Sequence, residues 1–104
     1  MDKLTMEKGQ VLRANASECA LRLEGPFRHL LLRGQENHVQ LLDRVEVLEI
    51  EGTDNSIECR QMPGRIRLRG QGNSLLIEEH PGEARPPVDV RGNNQAVKFR
   101  RPKS

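Results

Sequence analysis

In residues 66 to 79, IRLRGQGNSLLIEE, apolar and charged residues alternate on both sides of Gly70-Gln71-Gly72-Asn73. A hydrophobic period of two marks a β-strand with one buried face, so the segment predicts two short strands joined by a turn. Nearly the same phrase occurs as LLLRGQENHVQL, as LEIEGTDNSIEC and as VDVRGNNQAVKF. The turn glycines Gly34, Gly52, Gly70 and Gly92 recur at nearly even spacing, with the last interval the longest, and Ala14, a similar distance before the first, is assigned as the origin of an additional copy. A period of about 20 residues is the signature of stacked repeats.

Counting from these origins predicts four inward columns. Two residues before lie Leu12, Leu32, Ile50, Leu68 and Val90; four before lie Gln10, Leu30, Leu48, Ile66 and Val88. Five after lie Cys19, Val39, Ile57, Leu75 and Val97; seven after lie Leu21, Leu41, Cys59, Ile77 and Phe99. Only Gln10 breaks the apolar rule. Immediately before the origins stand Arg13, Arg33, Glu51, Arg69 and Arg91, the outward face of the same alternation. Three after come Ser17, Asn37, Asn55 and Asn73, with Asn93, Asn94 and Gln95 near the last origin. Glycine tolerates positive φ, and asparagine tolerates the left-handed region while its amide can bond along a stack of identical turns. The pattern predicts an all-β fold, a short parallel β-helix (β-solenoid) of about five rungs. An antiparallel β-sandwich also has short strands at such spacing, but it has no reason to repeat one turn and one set of columns.

The phrases IEGTDNSIEC, LRGQGNSLLI and LRGQENHVQL resemble the rungs of short right-handed parallel β-helix proteins, among them bactofilin-like cytoskeletal polymers and small Gly-Asn repeat domains. The resemblance runs from residue 12 to residue 99 and implies a right-handed coil. It lies in rung chemistry and selects no single family. Bactofilin-like proteins usually have more rungs and longer flanking tails than this chain.

Length makes this one domain, divided into an N-terminal cap over residues 1–10, rungs over 11–99 and a basic tail over 100–104. No stretch approaches the roughly 18 apolar residues of a membrane span, and the first ten residues have no apolar signal core. The expectation is an intracellular, cytoplasmic protein with no signal peptide and no membrane partner. Tyr and Trp are absent and only Phe27 and Phe99 are aromatic, which disfavours base-stacking platforms and aromatic-centred pockets. A net charge of +2 nominates no polyanion by bulk attraction.

Candidate chemistry adds little to this outline. Asp43, Asp54 and Asp89 fall at unrelated places in the rung, and nothing positions the carboxylate pair that glycoside hydrolysis needs. His29, His38 and His80 share no column, so no metal site is expected. Cys19 and Cys59 are expected as buried, reduced thiols, too far apart along the stack for a disulfide. No catalytic residue, metal or cofactor is assigned, and the chain is not expected to be an enzyme.

Two surfaces remain. Arg33, Arg69 and Arg91, with Arg67 beside them, form an arginine-rich face that reads as an ion-pair ladder relieved by Glu49, Glu51 and Asp89. With the tail residues Arg100 and Arg101 it is also a candidate anion surface, where arginine's planar fork suits phosphate or carboxylate. The terminal rung supplies the other. Val88, Val90, Val97 and Phe99 keep the inward pattern, and RRPKS is too short and polar to cover a core. The expected function is a non-enzymatic protein-interaction or self-assembly module that binds a protein partner or a second copy through that end. The alternative is polyanion or nucleic-acid binding through the arginines. The loop EEHPGEARPP, residues 78–87, accounts for the last, longer interval.

Overall fold

A computed structural model describes residues 11–101 and, by their backbone alone, residues 3–7. The chain is all β, a β-solenoid of about five turns. Strand β1 (Lys3–Glu7) is followed by five pairs of strands, one pair to each rung: β2 (Val11–Ser17) and β3 (Ala20–Leu23), β4 (Phe27–Gln35) and β5 (His38–Leu41), β6 (Val45–Thr53) and β7 (Ser56–Cys59), β8 (Arg65–Gln71) and β9 (Ser74–Glu78), β10 (Val88–Asn93) and β11 (Ala96–Arg100). The first members of the pairs make one sheet, in the order β1-β2-β4-β6-β8-β10, and the second members make the other, β11-β9-β7-β5-β3. All pairings between rungs are parallel, which rules out the antiparallel sandwich. The single antiparallel pair among the described residues is β1 on β2.

The inward columns form as the spacing predicts for rungs two to four. Leu32, Ile50 and Leu68 stand in register and are at most 2% exposed, as do Val39, Ile57 and Leu75 at 1%. Apolar side chains from the two sheets meet between them, and removing this surface from water is the main drive for folding.

One backbone carbonyl per rung explains both the glycine and the asparagine columns. A Cβ added to Gly34 would overlap the carbonyl oxygen of Ala16; one on Gly52 would overlap that of Gly34, and the relation repeats for Gly70 and Gly92. That carbonyl accepts a hydrogen bond from the asparagine amide of the rung above: Asn37 Nδ2 to Ala16 at 2.8 Å, Asn55 Nδ2 to Gly34 at 3.0 Å, Asn73 Nδ2 to Gly52 at 3.0 Å. Each amide also donates to the next, with Asn37 Nδ2 3.0 Å from Asn55 Oδ1 and Asn55 Nδ2 3.0 Å from Asn73 Oδ1. The three asparagines are at most 1% exposed, and a buried amide is tolerable only when its donors and acceptor are used. The left-handed residue expected at asparagine is instead the one before it: Glu18, Glu36 and Asp54 have φ of 54°, 54° and 56°.

The first rung is shifted relative to expectation. Gly34 pairs with Ala16, not Ala14, so the interval there equals that from Gly34 to Gly52. Ala16 stands where the later rungs have glycine, so the glycine that would have marked the rung is missing. Five assignments change with the shift. Leu12 pairs with Leu30 and Leu21 with Val39, so each stands in the neighbouring inward column, while Ala14 and Leu23 take the places beside Leu32 and Leu41. Arg13 leaves the arginine column, where Asn15 stands beside Arg33. Ser17 leaves the asparagine position to Cys19, whose N–H donates to Asn37 Oδ1 at 3.1 Å. Cys19 is accordingly at the turn and only half-buried rather than in an inward column. Gln10 lies outside the described residues, as do the remainder of the cap at residues 1, 2, 8 and 9 and residues 102–104 of the tail.

Candidate functional site

At the C-terminal end of the solenoid β10 and β11 have no strand on their outer side among the described residues. The two edges differ. β10 is the one strand with described side chains in which every residue is exposed, and it leaves Val88 at 41% and Val90 at 44% exposure. These are the inward positions of the pattern: Val88 is in register with Ile66 and Val90 with Leu68, both 0% exposed. The core columns thus reach the end of the molecule and open to solvent.

On β11 the same positions, Val97 and Phe99, are half-buried against the core. The 78–87 loop reaches Phe99. Its Arg85 guanidinium lies 4.4 Å from the centre of the Phe99 ring and is held by Glu79, Nε to Oε2 at 2.8 Å. That bond lowers the pKa of the Glu79 carboxyl, with the Arg85 and Arg101 charges adding to it, and raises that of Arg85. An arginine over an aromatic face is a favourable cation–π contact, and here it roofs half of the terminal rung. The four candidate surface residues therefore divide: Val88 and Val90 are open, while Val97 and Phe99 are partly covered.

The arginine face is an ion-pair ladder. Glu51 sits between Arg33 at 3.0 Å and Arg69 at 3.9 Å; Glu49 sits between His29 Nε2 at 3.1 Å and Arg67 at 3.6 Å. Arg91 meets Asp89 of its own strand at 3.5 Å. Each pair is worth little at such exposure; Glu51 separates Arg33 from Arg69 along the stack, whereas Arg69 and Arg91 are neighbours of like sign, and Arg33 donates a hydrogen bond to Glu51. Arg100 and Arg101 are exposed at the end of β11.

The asparagine ladder also ends at this edge. Gln95 takes the place of the next asparagine: its Oε1 accepts from Asn73 Nδ2 at 2.7 Å, and its Nε2 turns back to the Arg91 carbonyl of its own rung at 2.6 Å. The sequence pattern leaves Asn93, Asn94 and Gln95 undivided, although a spacing of three from Gly92 singles out Gln95.

The remaining chemistry is sparse. Among the described residues no three His, Cys, Asp or Glu side chains converge as metal ligands. Cys59 is buried in the core, which pushes its thiol pKa up to about 12; Cys19 Sγ lies 3.3 Å from the Ser17 carbonyl. Open grooves of about 410 and 360 Å³ run beneath the 78–87 loop and share Arg44, Met62 and Glu83. Their walls mix Arg60 with Glu78 and Glu83, giving no preference for a ligand of one charge. The described residues contain no helix long and apolar enough to cross a membrane. No family model matches the chain, and no curated protein or solved structure matches it.

Proposed function

We propose that the protein is an interaction or assembly module whose working surface is the β10 edge at the C-terminal end of the solenoid. The observation that carries this reading is the exposure of Val88 and Val90 in columns that are otherwise fully buried. An edge strand with free peptide groups and apolar side chains is a template for strand addition. The arginines offer less to a polyanion, because Arg33, Arg67, Arg69 and Arg91 already face carboxylates.

The test combines Val90→Lys with Phe99→Glu and follows association by sedimentation. The variant is expected to stay folded, since both positions lie at the end of the stack, and to lose association that the wild type shows at any salt concentration. Association that weakens steeply as salt rises would instead favour phosphate-driven binding of nucleic acid. A wild-type chain that is monomeric at millimolar concentration and holds no protein that the double variant loses contradicts the reading.

A further inference from the structure

We infer that the occupant of this edge is a second copy of the chain, joined about a two-fold axis by an antiparallel β10–β10 pair centred on Val90. The inference rests on the docking reading above and adds the partner, the direction and the register.

The opposite edge of the same sheet is already taken, because β1 lies antiparallel on β2. Head-to-tail stacking, with β10 of one molecule on β2 of the next, would have to displace it. Two identical molecules can instead meet through the same edge, and a two-fold axis closes that contact.

The backbone supplies the direction. The Pro87 carbonyl accepts from Ile66 N–H and the Asn93 carbonyl from Gly72 N–H, both at 3.0 Å, so these peptide groups face β8. Successive residues of a strand turn their N–H and C=O groups to opposite sides. Asp89 and Arg91 therefore share the inward direction towards β8, and Val88, Val90 and Gly92 present theirs to the open side.

The side chains supply the register. A two-fold pair must be centred on a single residue facing its own copy. Centred on Asp89, it sets two carboxylates opposite one another; centred on Arg91, it sets two guanidiniums opposite. Centred on Val90, it places Asp89 opposite Arg91 of the second copy, twice. Asp89 and Arg91 then occupy non-hydrogen-bonded sites, where facing side chains come closest, while Val88, Val90 and Gly92 exchange backbone hydrogen bonds. The two valines continue the buried columns across the junction, and Gly92 leaves room opposite Val88.

The β11 edge does not compete on equal terms. Lys98 and Arg100 alternate along it with Phe99, which Arg85 covers, and positive charge on an edge strand opposes pairing.

The experiment is sedimentation equilibrium of the whole chain, of Asp89→Arg, of Arg91→Asp and of an equimolar mixture of the two variants. The wild type is expected to show a monomer–dimer equilibrium. Each variant alone places like charges opposite one another twice and should associate about tenfold or more weakly. In the mixture every facing pair is again of opposite sign, so a heterodimer of near wild-type strength is expected. If β10 paired with the basic β11 of the second copy, Arg91→Asp would strengthen self-association instead of weakening it, which overturns the register. Association lost with Val90→Lys but indifferent to both charge reversals overturns the inference and leaves the docking edge standing. Association indifferent to Val90→Lys overturns both, and a wild type monomeric at millimolar concentration overturns the second copy as partner.

Discussion

For single residues, the fold depends on what is missing from glycine. The carbonyl of each rung occupies the space where the Cβ of the next rung's origin would stand, and then bonds the asparagine above. Gly52→Ala is therefore expected to destabilise the chain by about 3 kcal/mol or more, measured by urea unfolding, whereas Ala16→Gly should change stability by no more than about 1 kcal/mol. The same carbonyl sets a limit on what spacing reveals: the first rung begins at Ala16 and not Ala14, because glycine is dispensable there and Cys19 stands in place of asparagine. A second effect of this kind lies in the left-handed turn column. Glu36 has its pKa raised, first by a hydrogen bond with Glu18, then by the Glu18 charge, and further by burial and Asp54. An acid with a raised folded pKa contributes stability at low pH that is lost as pH rises through that pKa. Glu36→Gln, which imitates the protonated form, should raise the melting temperature at pH 7 and leave it nearly unchanged below about pH 4.5; an equal effect at both pH values would refute the assignment.

The asparagine ladder and the apolar columns are properties of rungs rather than of single strands. Asn55 donates to both Gly34 and Asn73 through one amide nitrogen. Asn55→Asp turns that donor into an acceptor facing two acceptors and should cost about 3 kcal/mol, read as a lower urea midpoint with an unchanged slope. The inward columns of rungs two to four are legible in the sequence because alternation and an even repeat reinforce each other over Leu32, Ile50 and Leu68 and over Val39, Ile57 and Leu75. The left-handed position is not, since Glu18 and Glu36 hold two of its places and glutamate does not announce positive φ, although Asp54, Gly72 and Asn94 are of types that tolerate it. Nor is β1, whose pairing depends on the free edge of β2 and not on a repeat signal.

Seen from end to end, the molecule is asymmetric. One edge of the larger sheet is met by an antiparallel strand, and the other exposes Val88 and Val90. The sequence pattern points to the terminal rung but treats it as uniform, because the contact of Arg85 with Phe99 depends on how the 78–87 loop folds back. That contact is what leaves β10 as the more exposed of the two terminal edges. Whether this edge pairs with another strand can be read from amide hydrogen exchange at Val88, Val90 and Gly92 across a concentration series. These three amides should exchange fast in dilute solution and slow as concentration rises, while Val97 and Phe99 keep their dilute-solution rates. Fast exchange of Val88, Val90 and Gly92 at every concentration up to the millimolar range would contradict strand pairing at β10.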